Sequence, residues 1–252
     1  MDQDGNTAEA FLGAQTPYVA VLGEEIQAQK YIRQDPADQW GPGPLILPYD
    51  SPFQYQLTVK NGQMTAVPET WIYDLLPYLG DKEYYFVDGA YPDRNSDFSP
   101  MLTGPIVVGY KPENVTIHYR TDKYPPVNPQ SALADTQLWK TADQIGDWNQ
   151  VTAFRIHILN IGPHETFNFT VNAKTITFNP EYVTNGREAH NNFAASYDKV
   201  NYAQSNTVSI GLRINLPVEK IWQGGHAGKP CPRHGGPVPG RRAGAQPRLQ
   251  PR

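Results

Sequence analysis

Sulfur is nearly absent from this chain. Its 252 residues include one cysteine, Cys231, which stands in an atypical C-terminal stretch. The folded part therefore has no thiol for a disulfide, a thiolate metal site or cysteine catalysis, and whatever reinforces it is not sulfur. Long apolar runs are missing too: nothing approaches the ~20 residues of a transmembrane helix. The opening MDQDGNTAEAF lacks the basic and apolar regions of a signal peptide, so the signal of an exported parent protein is expected upstream. Positive charge concentrates only near the C-terminus and the formal net charge is −4. Neither nucleic acid nor an anionic membrane is expected as a partner.

What is abundant is Tyr, Thr, Val, Phe, Asn and Pro, with 24 prolines and 15 tyrosines. That bias favours strands joined by turns over helices. The length suits one large all-β domain, or one domain with pieces of its neighbours.

The stretch 70–81, TWIYDLLPYLGD, organises the rest. An apolar, aromatic strand ends at a single acid, Asp74, and is stopped by Leu-Leu-Pro; by residue type alone Asp74 reads as a solvated strand-end carboxylate. Upstream, Ile26, Ala28, Lys30 and Ile32 share one face by period two, which puts a lysine on an apolar face. Residues 53–60, FQYQLTVK, alternate as a half-buried strand, and Asn61-Gly62 is a turn signal. Residues 79–105 read as loop, and 131–148 as a loop with a short helix. Strands are expected at 115–120, 151–159, 166–173, 175–178, 193–197 and 207–214, eight or nine in all, at the spacing of a two-sheet β-sandwich.

Three features invite metal or catalytic readings. Asp93-x-Asn95-x-Asp97 has the start of a calcium-loop spacing, but lacks the following Gly and the closing Glu, so an Asx-turn loop is expected. His118 and His157 sit mid-strand and read as ordinary sheet residues, not metal ligands. Asp88, Asp93 and Asp97 are the candidate acids of the alternative function, a carbohydrate-binding or carbohydrate-active sandwich. Tyr84, Tyr85, Phe86 and Tyr91 suit either a contact surface for a host protein or glycan, or a cover over the sandwich edge. No cofactor and no metal are expected.

The N-terminal NTAEAFLG followed by PYVAVLGEEIQAQKYI parallels the later NNFAASY followed by TVSIGLRINLPVEKIW. Asn6 matches Asn192 and Lys30 matches Lys220 at nearly the same offset, the mark of tandem repeats. Residues 1–24 then read as the last strands of one repeat, 25–216 as a complete domain and 217–222 as the first strand of the next. From 223 to 252 Gly, Pro and Arg dominate without apolar periodicity, as expected of a disordered or frame-disrupted tail.

The ordered series YQLTVKNG, WIYDLLPYLGD, RNSDFSPMLTGPI, NNFAASY and SNTVSI resembles the repeated immunoglobulin-like domains of Gram-positive cell-wall surface proteins and adhesins. VEKIW resembles the opening strand of collagen-adhesin B-type repeats. The resemblance implies an immunoglobulin-like β-sandwich with long inter-strand loops in a tandem array. It further implies a structural or adhesive stalk module, extracellular and attached to the cell wall as part of a larger exported protein, whose partners are neighbouring repeats and a host protein or glycan. Many such domains carry an intramolecular Lys–Asn isopeptide bond assisted by an acid; the matching positions are Lys30, Asn192 and Asp74. Asn191, Asn206, Asp50 and Glu69 are alternatives for the latter two. The chemistry is intelligible on its own terms: desolvation makes the neutral amine accessible, and a buried protonated acid polarises the carboxamide and shuttles protons as ammonia leaves. That is a single-turnover self-reaction and not enzymatic turnover.

Overall fold

Alternation of apolar and polar residues writes most of this architecture. The computed structural model describes residues 26–177 and 187–213, all within one compact unit. The expected repeat segments at 1–24 and 217–222, and the 223–252 tail, lie outside the described residues. Strand β1 (Ile26–Arg33) pairs antiparallel with β3 (Pro52–Asn61), which pairs with β9 (Thr166–Lys174); the two-residue strands β5 (Met101–Leu102) and β6 (Val107–Val108) both lie on β9. A second sheet runs in the order β12 (Ala203–Gln204), β11 (Ala194–Ser196), β4 (Val67–Leu75), β8 (Ala153–Ile161) and β7 (Val115–Arg120).

The inward faces of these two sheets share one apolar cluster. Phe53, Tyr55, Leu57, Val59, Phe167, Phe169 and Val171 come from the first sheet, and Ile72, Phe154, Ile156 and Ile158 from the second. Each fully buried side chain of this size contributes about 1.5–3 kcal/mol relative to exposure, so this interior dominates the favourable side of folding. The expected all-β sandwich is the observed architecture.

Two features depart from the expected two-sheet arrangement. A third small sheet forms from β10 (Glu188–Asn191), β13 (Val208–Leu212) and β2 (Leu45–Leu47), with β13 and β2 parallel. Residues 175–177, expected in a strand, are not in one. The Thr175 amide and hydroxyl are diverted to the carbonyls of Ser51 and Pro48, so the ladder stops at Lys174.

The C-terminal end of strand β4, from Ile72 to Leu75, is buried on both faces. Thr70, Ile72 and Asp74 point between the sheets. Tyr73 and Leu75 point outward, beneath Tyr84, Leu133 and Trp139. The cover includes the short helix α1 (Pro129–Ala134), which starts where the Asn128 side chain accepts the Ser131 amide at 3.0 Å and Pro129 occupies the first turn.

Candidate functional site

Period two on β1 carries Lys30 inward with Ile26 and Ile32, and its side chain is fully buried. The register is held from both sides. Lys30 pairs with Leu57 of β3. On the open edge the Asn206 carboxamide accepts from the Lys30 amide and donates to the Lys30 carbonyl, both at 2.9 Å. One side chain thus stands in for a neighbouring strand.

Asp74, the last inward residue of β4 before Leu-Leu-Pro, is also fully buried and meets the Lys30 Nζ through Oδ2 in a short hydrogen bond. Residue type by itself reads as a solvated acid; the cover over Tyr73 and Leu75 closes the strand end to water. The ring of Tyr55 lies 4.7 Å from Nζ and that of Phe193 6.0 Å. In this apolar wall desolvation outweighs the attraction between the partners. Burial pushes the Lys30 amine down to about 8, against the opposing pull of Asp74. Burial likewise holds the Asp74 carboxyl above its usual range, although Lys30 and Arg94 pull it down. Both shifts move the pair toward amine plus carboxylic acid.

Next to the pair stands Asn191, the last residue of β10. Its carboxamide acts on both Asp74 and Tyr55, yet its oxygen and nitrogen make no hydrogen bond of ordinary geometry, and Asp74 Oδ1 is likewise unpartnered. Asn192 points elsewhere: its Nδ2 donates to Glu83 at 3.0 Å, and its carbonyl accepts from the Tyr84 hydroxyl at 3.2 Å. The structure therefore brings Lys30, Asp74 and Asn191 together, and places the Asn192 side chain in an adjoining polar network with Glu83.

The other candidates do not meet this site. The Asn206 carboxamide is spent on the Lys30 backbone. Glu69 lies on the outer face of β4, hydrogen-bonded to His157 at 3.0 Å and to the Trp71 indole at 3.2 Å. Asp50 accepts from Thr177 at 2.9 Å. His157 stacks on Trp71 with centroids 3.9 Å apart, and burial holds both His157 and His118 below their usual range.

Asp93 pairs with Lys82 at 2.5 Å, Asp97 accepts from the Glu188 amide at 3.2 Å, and Asn95 and Asp88 take left-handed backbone, Asp88 in a turn. Among the described residues no group of three or more His, Cys, Asp or Glu is arranged to hold a metal ion, and no helix is long and apolar enough to cross a membrane. Of the loop aromatics, Tyr84 is buried over β4, whereas Tyr85 and Phe86 are exposed and Tyr91 accepts from Asn128.

One site residue has no counterpart in the sequence reading. Arg94 is fully buried, donates from Nη1 to the Leu75 carbonyl at 2.9 Å and lies 3.5 Å from Asp81. It comes from the long 79–100 connection and opens the RNSDFSPMLTGPI run, where no periodicity marks it as an inward residue.

No protein-family model and no curated protein matches the sequence. Among solved structures the chain is similar to BcpA, the major pilin subunit of Bacillus cereus, at 10% identity and a TM-score of 0.35, over 75% of this chain and 40% of BcpA. It is similar to the full-length major pilin SpaD of Corynebacterium diphtheriae at 10% identity and a TM-score of 0.34, over 73% of this chain and 35% of SpaD. A third similar structure is AvmM, which catalyses macrocyclization in alchivemycin A biosynthesis, at 9% identity and a TM-score of 0.31, over 79% of this chain and 94% of AvmM. The chain spans less than half the length of either pilin.

Proposed function

We propose that this chain is a structural module of an extracellular, cell-wall-attached stalk, closed by an intramolecular amide bond between Lys30 and Asn191 with Asp74 as proton shuttle. The observation that carries the reading is a fully buried lysine–aspartate contact beside a carboxamide without an ordinary hydrogen bond. Proton transfer from Lys30 to Asp74 frees the amine. Nζ attacks the side-chain carbonyl carbon of Asn191 while protonated Asp74 donates to its oxygen, and collapse of the tetrahedral intermediate breaks the carbon–nitrogen bond. The amide nitrogen leaves as ammonia, having gained the proton that Nζ gives up through Asp74. The carboxyl is regenerated and the chain reacts once.

The partner is Asn191 in place of Asn192 because the Asn192 carboxamide is engaged by Glu83. The bond ties β1 to β10, near opposite ends of the domain, and serves where sulfur is missing. Neighbouring repeats of the same polypeptide are the first partners. The exposed Tyr85 and Phe86 are the surface for a host protein or glycan.

The test is the intact mass of the purified chain, followed by peptide mapping. The expected result is loss of one ammonia and a branched peptide joining Lys30 to Asn191. A chain at its full sequence mass would overturn the cross-link, and a branch at Asn192 would overturn the choice of asparagine.

A further inference from the structure

Arg94 is a buried charge beside the site that the cross-linking chemistry leaves unused. Nη1 holds the carbonyl of Leu75, the residue after Asp74, and the guanidinium lies 5.1 Å from the centroid of the Tyr84 ring. Its ion pair with Asp81 is long, at 3.5 Å, and Nε and Nη2 make no hydrogen bond of ordinary geometry, although the guanidinium also acts on the Tyr84 hydroxyl. A guanidinium with unused donors is a costly group to bury merely to hold one carbonyl, since a neutral glutamine also donates to an oxygen. What glutamine lacks is the charge.

We propose that Arg94 is the positioning residue of the cross-linking reaction: it fixes the strand end that carries Asp74, and its permanent positive charge sets the pH range in which the Lys30–Asp74 pair shares one proton. This inference rests on the cross-linking function proposed above. The groups facing the pair are Tyr55 from β3, Asn191 from β10, Phe193 and Arg94; Arg94 in turn faces Asp81, Glu83 and Tyr84. Burial pushes the Tyr55 and Tyr84 phenols up, so both stay neutral through the relevant range.

The sign of the effect follows from the proton count. The reactive pair holds one proton, as amine plus acid. A second proton makes ammonium plus acid, with no nucleophile; loss of the one leaves amine plus carboxylate, with no acid. A nearby fixed cation disfavours the first state and favours the last, so it moves both limbs of a bell-shaped rate profile to lower pH. Removing it moves the optimum up, by about one unit for a charge acting across roughly 10 Å at an effective dielectric of about 20.

The experiment uses the full chain, collected unfolded in denaturant and diluted into buffers from about pH 5 to about pH 10. Samples are quenched at intervals and ammonia loss is read by intact mass. Arg94→Gln is expected to form the bond about tenfold more slowly, with its optimum about one unit higher. Arg94→Lys, which keeps the charge, should be slower with the optimum unmoved. The double variant Arg94→Gln/Asp81→Asn removes the long ion pair together, so that the test survives if the single variant does not fold. An optimum unmoved in the glutamine variants, with only the rate changed, would overturn the inference. Failure of both to fold would do so as well, by assigning the charge to stability. Absence of ammonia loss from the wild type at every pH would instead remove the cross-linking function, a distinct result read on a different sample.

Discussion

Two lysine–carboxylate contacts in this domain share their chemistry and differ in their surroundings. Lys111 and Glu165 meet at the surface in a short hydrogen bond, with the lysine side chain 37% exposed. Lys30 and Asp74 meet equally closely with both side chains fully buried. At the surface the carboxylate stabilises the ammonium, so Lys111 is held above its usual range and Glu165 below. In the interior the same partnership fails to offset desolvation, and Lys30 moves down to about 8 while Asp74 moves up. One environment stabilises the charged forms; the other moves both groups toward their neutral forms. Burial, more than pairing, decides which.

Replacing Lys30 is the strongest way to break that contrast. Lys30→Ala removes the nucleophile, so the chain should keep its full sequence mass. It should also lose the constraint that closes the long loop between β1 and β10, worth about 5 kcal/mol by loop entropy if an amide acts like a disulfide. The expected outcome is a lower guanidinium midpoint and faster proteolysis than wild type. Lys30→Ala/Asp74→Ala separates the cross-link from the unpaired acid that the single change leaves. Equal midpoints for wild type and both variants would mean that the bond carries none of the stability.

Asn191→Ala sharpens the contrast by keeping amine and acid while deleting the electrophile. Lys30 then titrates near 8 in the folded chain and near 10.5 in the unfolded one. Between those values the unfolded chain binds more protons, so stability should rise with pH across the window, by about 3 kcal/mol if the whole shift is expressed. Asp74, raised in the fold, acts in the opposite sense: it favours folding below the usual carboxylate range, and that contribution is lost as pH rises through its folded value. The wild type, with Lys30 consumed in a neutral amide, should show no rise across the upper window. Urea midpoints at a series of pH values measure this; a flat profile for Asn191→Ala would mean that Lys30 is not desolvated.

Half of this site is legible from periodicity. Lys30 falls on the apolar face of β1 because Ile26, Ala28 and Ile32 set a period of two, and the same rule turns Asp74 inward with Ile72. Which of Asn191 and Asn192 faces the lysine–aspartate pair is not legible, for a definite reason. NNFAASY reads as one strand, yet Asn191 ends β10 in the third sheet and Ala194 begins β11 in the second. The chain changes sheets at Asn192-Phe193, so alternation cannot be carried across, and a one-residue slip exchanges one face for the other. The structural roles of Arg94 and Asn206 escaped for a related reason. Both act from connections, and what fixes them is tertiary: the carbonyl of Leu75 in one case, the open edge of β1 in the other.

The smallest effect is expected at a second surface pair, Lys82–Asp93, where the side chains are 41% and 60% exposed. Water already solvates both charges, and holding two long side chains in one geometry costs conformational entropy. Asp93 needs no rescue when its partner goes, because the loop around Asn95 is held by backbone contacts, including Glu83 to Pro92 at 2.8 Å and Arg94 to Asp81 at 3.0 Å. Lys82→Ala should therefore shift stability by no more than about 0.5 kcal/mol, with less difference still at high salt. Bond formation at Lys30, read as loss of ammonia from the chain, should continue at the wild-type rate. A shift as large as that of Lys30→Ala would mean that contact with a carboxylate, and not burial, governs what a lysine does in this fold.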